Sequence, residues 1–267
     1  MKTFRFLRVV LATALVCANF ASCRTDVTVD SFPDNPFGDD ANEKKLVKIV
    51  SESVVYGQTT EETITFKYDS EGKLIETVEK GKTNYEEWSG IAEYVWTNDA
   101  VIYREDYTYK SSHDNINETY ECKYQLSNGL VRSLDYGGGD IEYLSYNKDG
   151  RYDNEKTWEW DGDKLKCIYG DYKSVYTYGE PCTSGYYPFC SIDAGTLFFA
   201  HPELLGVRTK QLPTSCVATG YYDSYVKPYS STYEYELDLE GYVVKVVVTT
   251  IYEDNQIETY VETFTWE

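Results

Sequence analysis

From Leu46 onward this chain alternates with a period of two, over and over, and that regularity narrows its fold more than any other feature. Across 231–239, Tyr233, Tyr235, Leu237 and Leu239 face one way, while Thr232, Glu234, Glu236 and Asp238 face the other. Across 118–126, Tyr120, Cys122, Tyr124 and Leu126 oppose Thr119, Glu121, Lys123 and Gln125. Ile64, Phe66 and Tyr68 alternate with Thr63, Thr65 and Lys67 in the same way. Successive side chains of a strand point to opposite faces, so the pattern predicts antiparallel strands with one packed face and one wet face.

Turn signals separate the strands: Asp69-Ser70-Glu71-Gly72, Ser127-Asn128-Gly129, Lys148-Asp149-Gly150, Asp161-Gly162 and Leu239-Glu240-Gly241. Most precede another alternating run, as hairpin turns do. The recurring unit is approximately Tyr-x-Tyr-Asp-x-x-Gly-x-Leu-x-x-Ile, cleanest at 66–75 and repeated at 233–244, with degenerate copies near 124–134, 143–152 and 158–168. One hairpin cannot bury its own face, so neighbours must pair edge to edge. The expected fold is therefore all-β: an antiparallel meander of repeated hairpins in a twisted, curved sheet. A membrane-crossing barrel would need an apolar outer face on each strand, and Thr, Glu, Lys and Asp occupy it here.

The stretch 181–229 departs from this pattern. It carries Pro181, Pro188, Pro202, Pro213 and Pro228 together with the apolar run Leu197-Phe198-Phe199-Ala200. A short helix is expected between Asp193 and Leu205, ended by Gly206 and divided into two turns by Pro202. The stretch reads as an insertion packed on one face, since a single sheet needs something to bury its aromatic side. The Gly137-Gly138-Gly139 run lacks the Lys and Ser/Thr of a phosphate loop, so it reads as a connection or bend.

Aromatic residues are abundant, with 28 Tyr, 10 Phe and 5 Trp against a single Met. Alternation places most of them in a core. Tyr186, Tyr187, Phe189, Tyr221, Tyr222 and Tyr225 fall inside the Pro-rich stretch and outside strict alternation. Aromatic rings on loops give rigid contact area at low entropy cost, so these six are the candidate ligand-binding residues, for a glycan or a protein.

The first 22 residues read as a secretory signal, with Lys2, Arg5 and Arg8 before an apolar run and small residues at its end. Phe20-Ala21-Ser22-Cys23 resembles the lipobox of bacterial lipoproteins, which makes Cys23 the expected lipidation site and mature N-terminus. Residues 23–45 then form a lipid-anchored acidic tether, and 46–267 a single sheet domain. The formal net charge is −20, and −23 once the three basic signal residues are removed. Such a charge repels phosphate backbones, which excludes nucleic acid as a partner and leaves membrane contact to the lipid.

The lipobox, the acidic tether, the Tyr-x-Tyr-Asp-x-x-Gly-x-Leu hairpins and the stretch Leu204-Leu205-Gly206-Val207-Arg208-Thr209-Lys210-Gln211-Leu212-Pro213 occur together. This combination resembles the β-rich lipoproteins of unassigned function common in Bacteroidetes, and the hairpin unit is similar to YD-type repeats. The resemblance implies a cell-envelope location, as an outer-membrane lipoprotein, and a curved antiparallel sheet. It brings no catalytic residues.

Five cysteines remain after Cys17 and Cys23: Cys122, Cys167, Cys182, Cys190 and Cys216. Cys182 and Cys190 are either a disulfide closing a loop in an oxidising compartment or two unpaired thiols. The two histidines, His113 and His201, stand in no metal-ligand spacing and beside no nucleophile elbow, so both read as loop residues. The stretch 147–150 matches only part of a calcium loop and reads as a hairpin turn. No enzyme, cofactor or metal is expected. Two functions stay open: a non-catalytic binding module that uses the aromatic loops, and an assembly partner that pairs through an exposed sheet edge.

Overall fold

The computed structural model describes residues 44–55, 58–153, 157–170, 172–181, 196–206, 211–220 and 227–267. Fifteen strands form one antiparallel sheet: β1 (Leu46–Val55), β2 (Gln58–Tyr68), β3 (Leu74–Lys82), β4 (Glu86–Trp96), β5 (Ala100–Ser111), β6 (Asn115–Ser127), β7 (Leu130–Asp135), β8 (Ile141–Tyr143), β9 (Trp158–Asp161), β10 (Lys164–Tyr169), β11 (Tyr172–Pro181), β12 (Gln211–Gly220), β13 (Tyr229–Leu237), β14 (Val243–Tyr252) and β15 (Ile257–Trp266). Their order is β8-β7-β6-β5-β4-β3-β2-β1-β15-β14-β13-β12-β11-β10-β9. Two meanders thus meet where the first strand pairs with the last.

The sheet must curl. Flat, fifteen strands at a spacing of about 4.8 Å would hold the two edges about 67 Å apart. Those edges, β8 and β9, are consecutive in the chain, and their connection doubles back on itself through a Tyr146–Tyr152 bridge. The chain left to span the gap reaches at most about 35 Å. One continuous apolar cluster accordingly joins residues from β1 to β15 on a shared inner face.

The repeated sequence unit is a turn with one fixed chemistry. Asp69 Oδ1 accepts from the N–H groups of Glu71 and Lys73 at 2.8 and 2.9 Å. Asn147 Oδ1 does the same for Asp149 and Arg151 at 2.9 and 3.1 Å, and Asp238 Oδ1 for Glu240 and Tyr242 at 2.9 Å each. The fourth residue is Gly in each case, at φ +86°, +74° and +87°, where a Cβ would be strained.

Aromatic residues near the strand ends have a task of their own. Tyr68, Tyr178 and Tyr235 donate to the carbonyls of Leu46, Leu165 and Pro213 at 2.7–2.8 Å. Trp96, Trp160 and Trp266 donate to Leu74, Tyr152 and Val243 over the same range. Each ring therefore packs inward while its polar tip ties a strand's end to its neighbour's start, or, for Trp160, to the β8–β9 connection.

All these rings lie toward one end of the inner face, and there the helical segment sits. It consists of α1 (Leu197–Ala200) and a 3-10 turn at Pro202–Leu205 that ends at Gly206 with φ +62°. The two short turns and their glycine stop are as the sequence predicts. Leu197, Phe198 and Leu205 are fully buried.

Two details differ from what the sequence pattern predicts. Residues 211–220 are a strand, so 181–229 is not one insertion. Pro213 is tolerated because it lies at a register shift against β11 and beyond the four-residue ladder to β13. Leu237 and Leu239 are exposed rather than inward-facing. A register shift between Glu236 and Leu237 ends the alternation there, and the buried Tyr242 follows the turn instead.

Candidate functional site

The inner face has two halves. At the end where β11 finishes and β12 begins, the helical segment fills it. Thr196 Oγ1 meets Tyr94 Oη at 2.5 Å and Thr77 Oγ1 at 3.3 Å, and the Phe198 ring packs edge-on against Tyr124 at 5.8 Å. Toward the other end, the end of the β1–β2, β3–β4 and β5–β6 turns, the strands present a different set of side chains inward. Among the described residues no helix covers them.

These are carboxylates and tyrosines. Glu62 of β2, Glu105 of β5 and Glu262 of β15 share the inward phase of their strands with apolar or aromatic residues, and Glu79 of β3 faces inward opposite Ile64. Trp88 Nε1 donates to Glu62 Oε1 at 3.1 Å, and Glu62 and Glu79 are hydrogen-bonded to each other. Tyr103 donates to Glu105 at 2.6 Å, and Tyr260 donates to Glu262 at 2.6 Å with its hydroxyl oxygen 3.2 Å from Ser51 Oγ. Nearer the rim, Tyr109 donates to Glu86 at 2.5 Å, Tyr252 donates to Glu258 at 2.8 Å, and Tyr120 donates to Glu118.

Two glycines make room for this arrangement. A Cβ on Gly81 would stand 2.2 Å from the Trp88 ring, and one on Gly90 would stand 2.3 Å from Glu105 Oε1. The inward positions of β1–β6 and β15 at this end carry no Lys, Arg or His.

Burial without a cation raises the carboxyl pKa values. It pushes Glu262 up to about 7 and Glu62 up to about 6. Burial, then the charges of Glu62 and Glu105, lift Glu79 well above the carboxylate range. Glu105 is raised as well, again mainly by burial. Two hydrogen-bonded carboxylates must share a proton, so the Glu62–Glu79 pair holds at most one negative charge while that bond lasts. The wall thus offers hydrogen-bond donors, acceptors and aromatic faces together.

The six aromatic residues chosen from sequence, Tyr186, Tyr187, Phe189, Tyr221, Tyr222 and Tyr225, lie outside the described residues, as do Cys23, Cys182 and Cys190. What the fold does settle is where their segments join the sheet. Segment 182–195 leaves β11 at the end holding the helical segment, whereas 221–226 connects β12 to β13 at the opposite, carboxylate-lined end. Beside the latter, Tyr172, Tyr229 and Tyr252 pack in series, edge-on at 5.2 Å and tilted at 5.8 Å.

The inward carboxylates escaped the sequence reading, which assigned acids to the wet face. The signal was present: Glu62 is in phase with Ile64 and Phe66, and Glu262 is in phase with Tyr260 and Phe264.

Cys122, Cys167 and Cys216 are buried and unpaired, and burial raises the first and last to about 12 and about 11, away from thiolate reactivity. The Asn147 oxygen of the calcium-like stretch is taken by backbone N–H groups. Among the described residues no group of three or more candidate ligands could hold a metal.

No family model matches the chain, and no curated protein matches it in sequence. Among solved structures, its fold is similar to a porin-like protein from Bacteroides uniformis, with a TM-score of 0.57 and 17% identity over 83% of this chain and 96% of that one. A porin-like protein from Bacteroides vulgatus matches at 12% identity over 84% and 99%, with a TM-score of 0.28, too distant to argue from. At these identities the likeness is one of fold, that of a β-rich Bacteroides protein.

Proposed function

We propose that this protein is a non-catalytic binding module of the cell envelope that takes its ligand at the carboxylate- and tyrosine-lined end of the curled sheet. The observation that carries this reading is the division of the inner face. One half is closed by buried Leu197, Phe198 and Leu205, and the other is lined by half-buried Tyr107, Tyr120, Tyr252 and Tyr260 beside carboxylates. Concave, mostly aromatic surface with a few fixed polar groups is the usual make-up of a ligand site. Tyrosine faces beside carboxylate acceptors suit a polyhydroxylated ligand, so a glycan is the first candidate.

The tether expectation fits this polarity. Lys44 is held at the closed end, with its ammonium 3.0 Å from both Asp238 and Glu240. A tether from Cys23 would therefore join the module at its closed end, away from the lined one.

Two other readings draw less support. The B. uniformis neighbour is described as porin-like, but an outer face that crosses lipid needs an apolar band. Here β2 turns Glu61, Thr63, Thr65 and Lys67 outward, and β5 turns Arg104, Asp106, Thr108 and Lys110 outward. Assembly through a sheet edge has little edge to use: β8 offers three residues and β9 four.

The test is a glycan array probed with the purified protein and with the Glu105→Gln/Tyr107→Ala double variant. Binding that weakens roughly tenfold or more in the double variant is the expected result, since buried aromatic anchors cost upwards of about 1.4 kcal/mol each. Binding that the double variant keeps in full would move the site to 182–195 or 221–226 and end the proposal for this surface. Silence across the array would point to a protein ligand, to be sought by crosslinking in the native envelope.

A further inference from the structure

His201 joins the helical segment to the sheet by a bond that only its neutral ring can make. It stands between α1 and the 3-10 turn, with its side chain 13% exposed. The Leu74 N–H donates to His201 Nε2 at 3.1 Å. This amide is free for the purpose because the β2–β3 ladder shifts register beside it, pairing Tyr68 with Leu74 directly after Lys67 with Glu76.

Because Nε2 accepts, the ring proton sits on Nδ1, which lies 2.7 Å from Glu203 Oε1 and donates to it. Two aromatic rings hold the imidazole edge-on: Trp96 of β4 at 5.2 Å and Tyr68 of β2 at 6.1 Å. The titratable or charged groups around it are Glu203 on its own turn, Tyr68, Lys45 with Nζ 5.4 Å from the Tyr68 ring, and Tyr94 behind Thr196.

A second proton has opposite effects on the two bonds. On Nε2 it replaces the acceptor with a donor that faces the Leu74 N–H, and that bond is lost. On the other side the pair with Glu203 becomes charge-assisted and tightens. Glu203 belongs to the helical segment itself, so the ring's loyalty passes from the sheet to its own turn. The remaining ties do not titrate with it: Tyr152 N–H donates to the Leu205 carbonyl at 3.0 Å, and Leu197 and Phe198 stay in the core.

We propose that His201 is an acid-released latch, which holds the joint between α1 and the 3-10 turn to the start of β3 while its ring is neutral and frees that joint when the ring takes a second proton. The movement is local, a loosening around residues 201–203 against a fixed Phe198.

Ring-nitrogen NMR and amide exchange on the whole protein test this together. The expected starting state is the Nδ1–H tautomer of His201 with a protected Leu74 amide. As acid converts the ring to imidazolium, Leu74 protection, corrected for intrinsic exchange, should fall roughly tenfold or more while that of Tyr152 holds. Leu74 protection that does not change across the His201 titration would overturn the latch. So would an Nε2–H tautomer, or a ring that stays neutral until the protein unfolds. In His201→Gln the amide oxygen can accept from Leu74 but cannot titrate, so the acid response should vanish; its persistence would also refute the proposal. Should that variant fail to fold, the titration of the unaltered protein decides alone.

Discussion

Gly206 shows how a single position can be tied to two parts of the fold. Its φ of +62° stops the 3-10 turn, and a Cβ there would lie 2.0 Å from the Gly150 carbonyl oxygen, in the connection between β8 and β9. Gly206→Ala therefore meets both a strained backbone and a backbone wall that cannot rotate aside. A loss of about 2 kcal/mol or more is expected, visible as a drop in denaturant midpoint at unchanged slope. The sequence shows Gly206 as a helix stop, because such a stop is a local requirement. The approach of Gly150 is not local and leaves no mark at either residue.

At the scale of the element, the turn unit was legible because its chemistry is local too. Aspartate, glycine and the following backbone amides lie within five residues, so spacing alone implies the geometry. Asp69→Ala removes the one side-chain oxygen that accepts two backbone N–H bonds, at 2.8 and 2.9 Å, without touching the core. It should cost about 1 kcal/mol, read as a lower thermal midpoint with unchanged far-ultraviolet circular dichroism. The role of Tyr68 was only half visible. Its phase predicts an inward ring, but the acceptor of its hydroxyl, the Leu46 carbonyl, lies on the neighbouring strand. The Pro-rich stretch misled for a related reason. Proline forbids a ladder bond at its own position only, and Pro213 sits where β12 makes none to β13. Periodicity finds strands and faces well; it cannot find bulges, which decide where Leu237 and Leu239 end up.

At the scale of the whole molecule, curl and inner chemistry come from pairings across the chain, which no local pattern of residues encodes. A carboxylate in the apolar phase of one strand is easily taken for a local exception. Four of them become an acidic wall only when β15 closes onto β1 and brings Glu262 into the same row as Ser51 and Glu62. The wall has a global consequence for stability against pH. Glu262 at about 7 and Glu62 at about 6 stand above the ordinary glutamate value of 4.5, so across that window the folded protein binds more protons than the unfolded chain. Stability must then fall as pH rises from about 4.5 toward 7, by on the order of 1–3 kcal/mol for each group. The turn aspartates act in the opposite sense and lower down. Backbone N–H bonds and neighbouring lysines hold Asp69, Asp238 and Asp254 below 3.8, so their contribution is lost only as pH drops through that range. The thermal midpoint should therefore peak near pH 4.5–5, more acidic than is common for globular proteins. Glu262→Gln keeps an acceptor for Tyr260 and cannot ionise, so it should raise the midpoint at pH 8, leave it nearly unchanged at pH 4.5, and flatten the decline between them. A decline that Glu262→Gln leaves as steep as before would mean that Glu262 ionises in the folded protein at no cost.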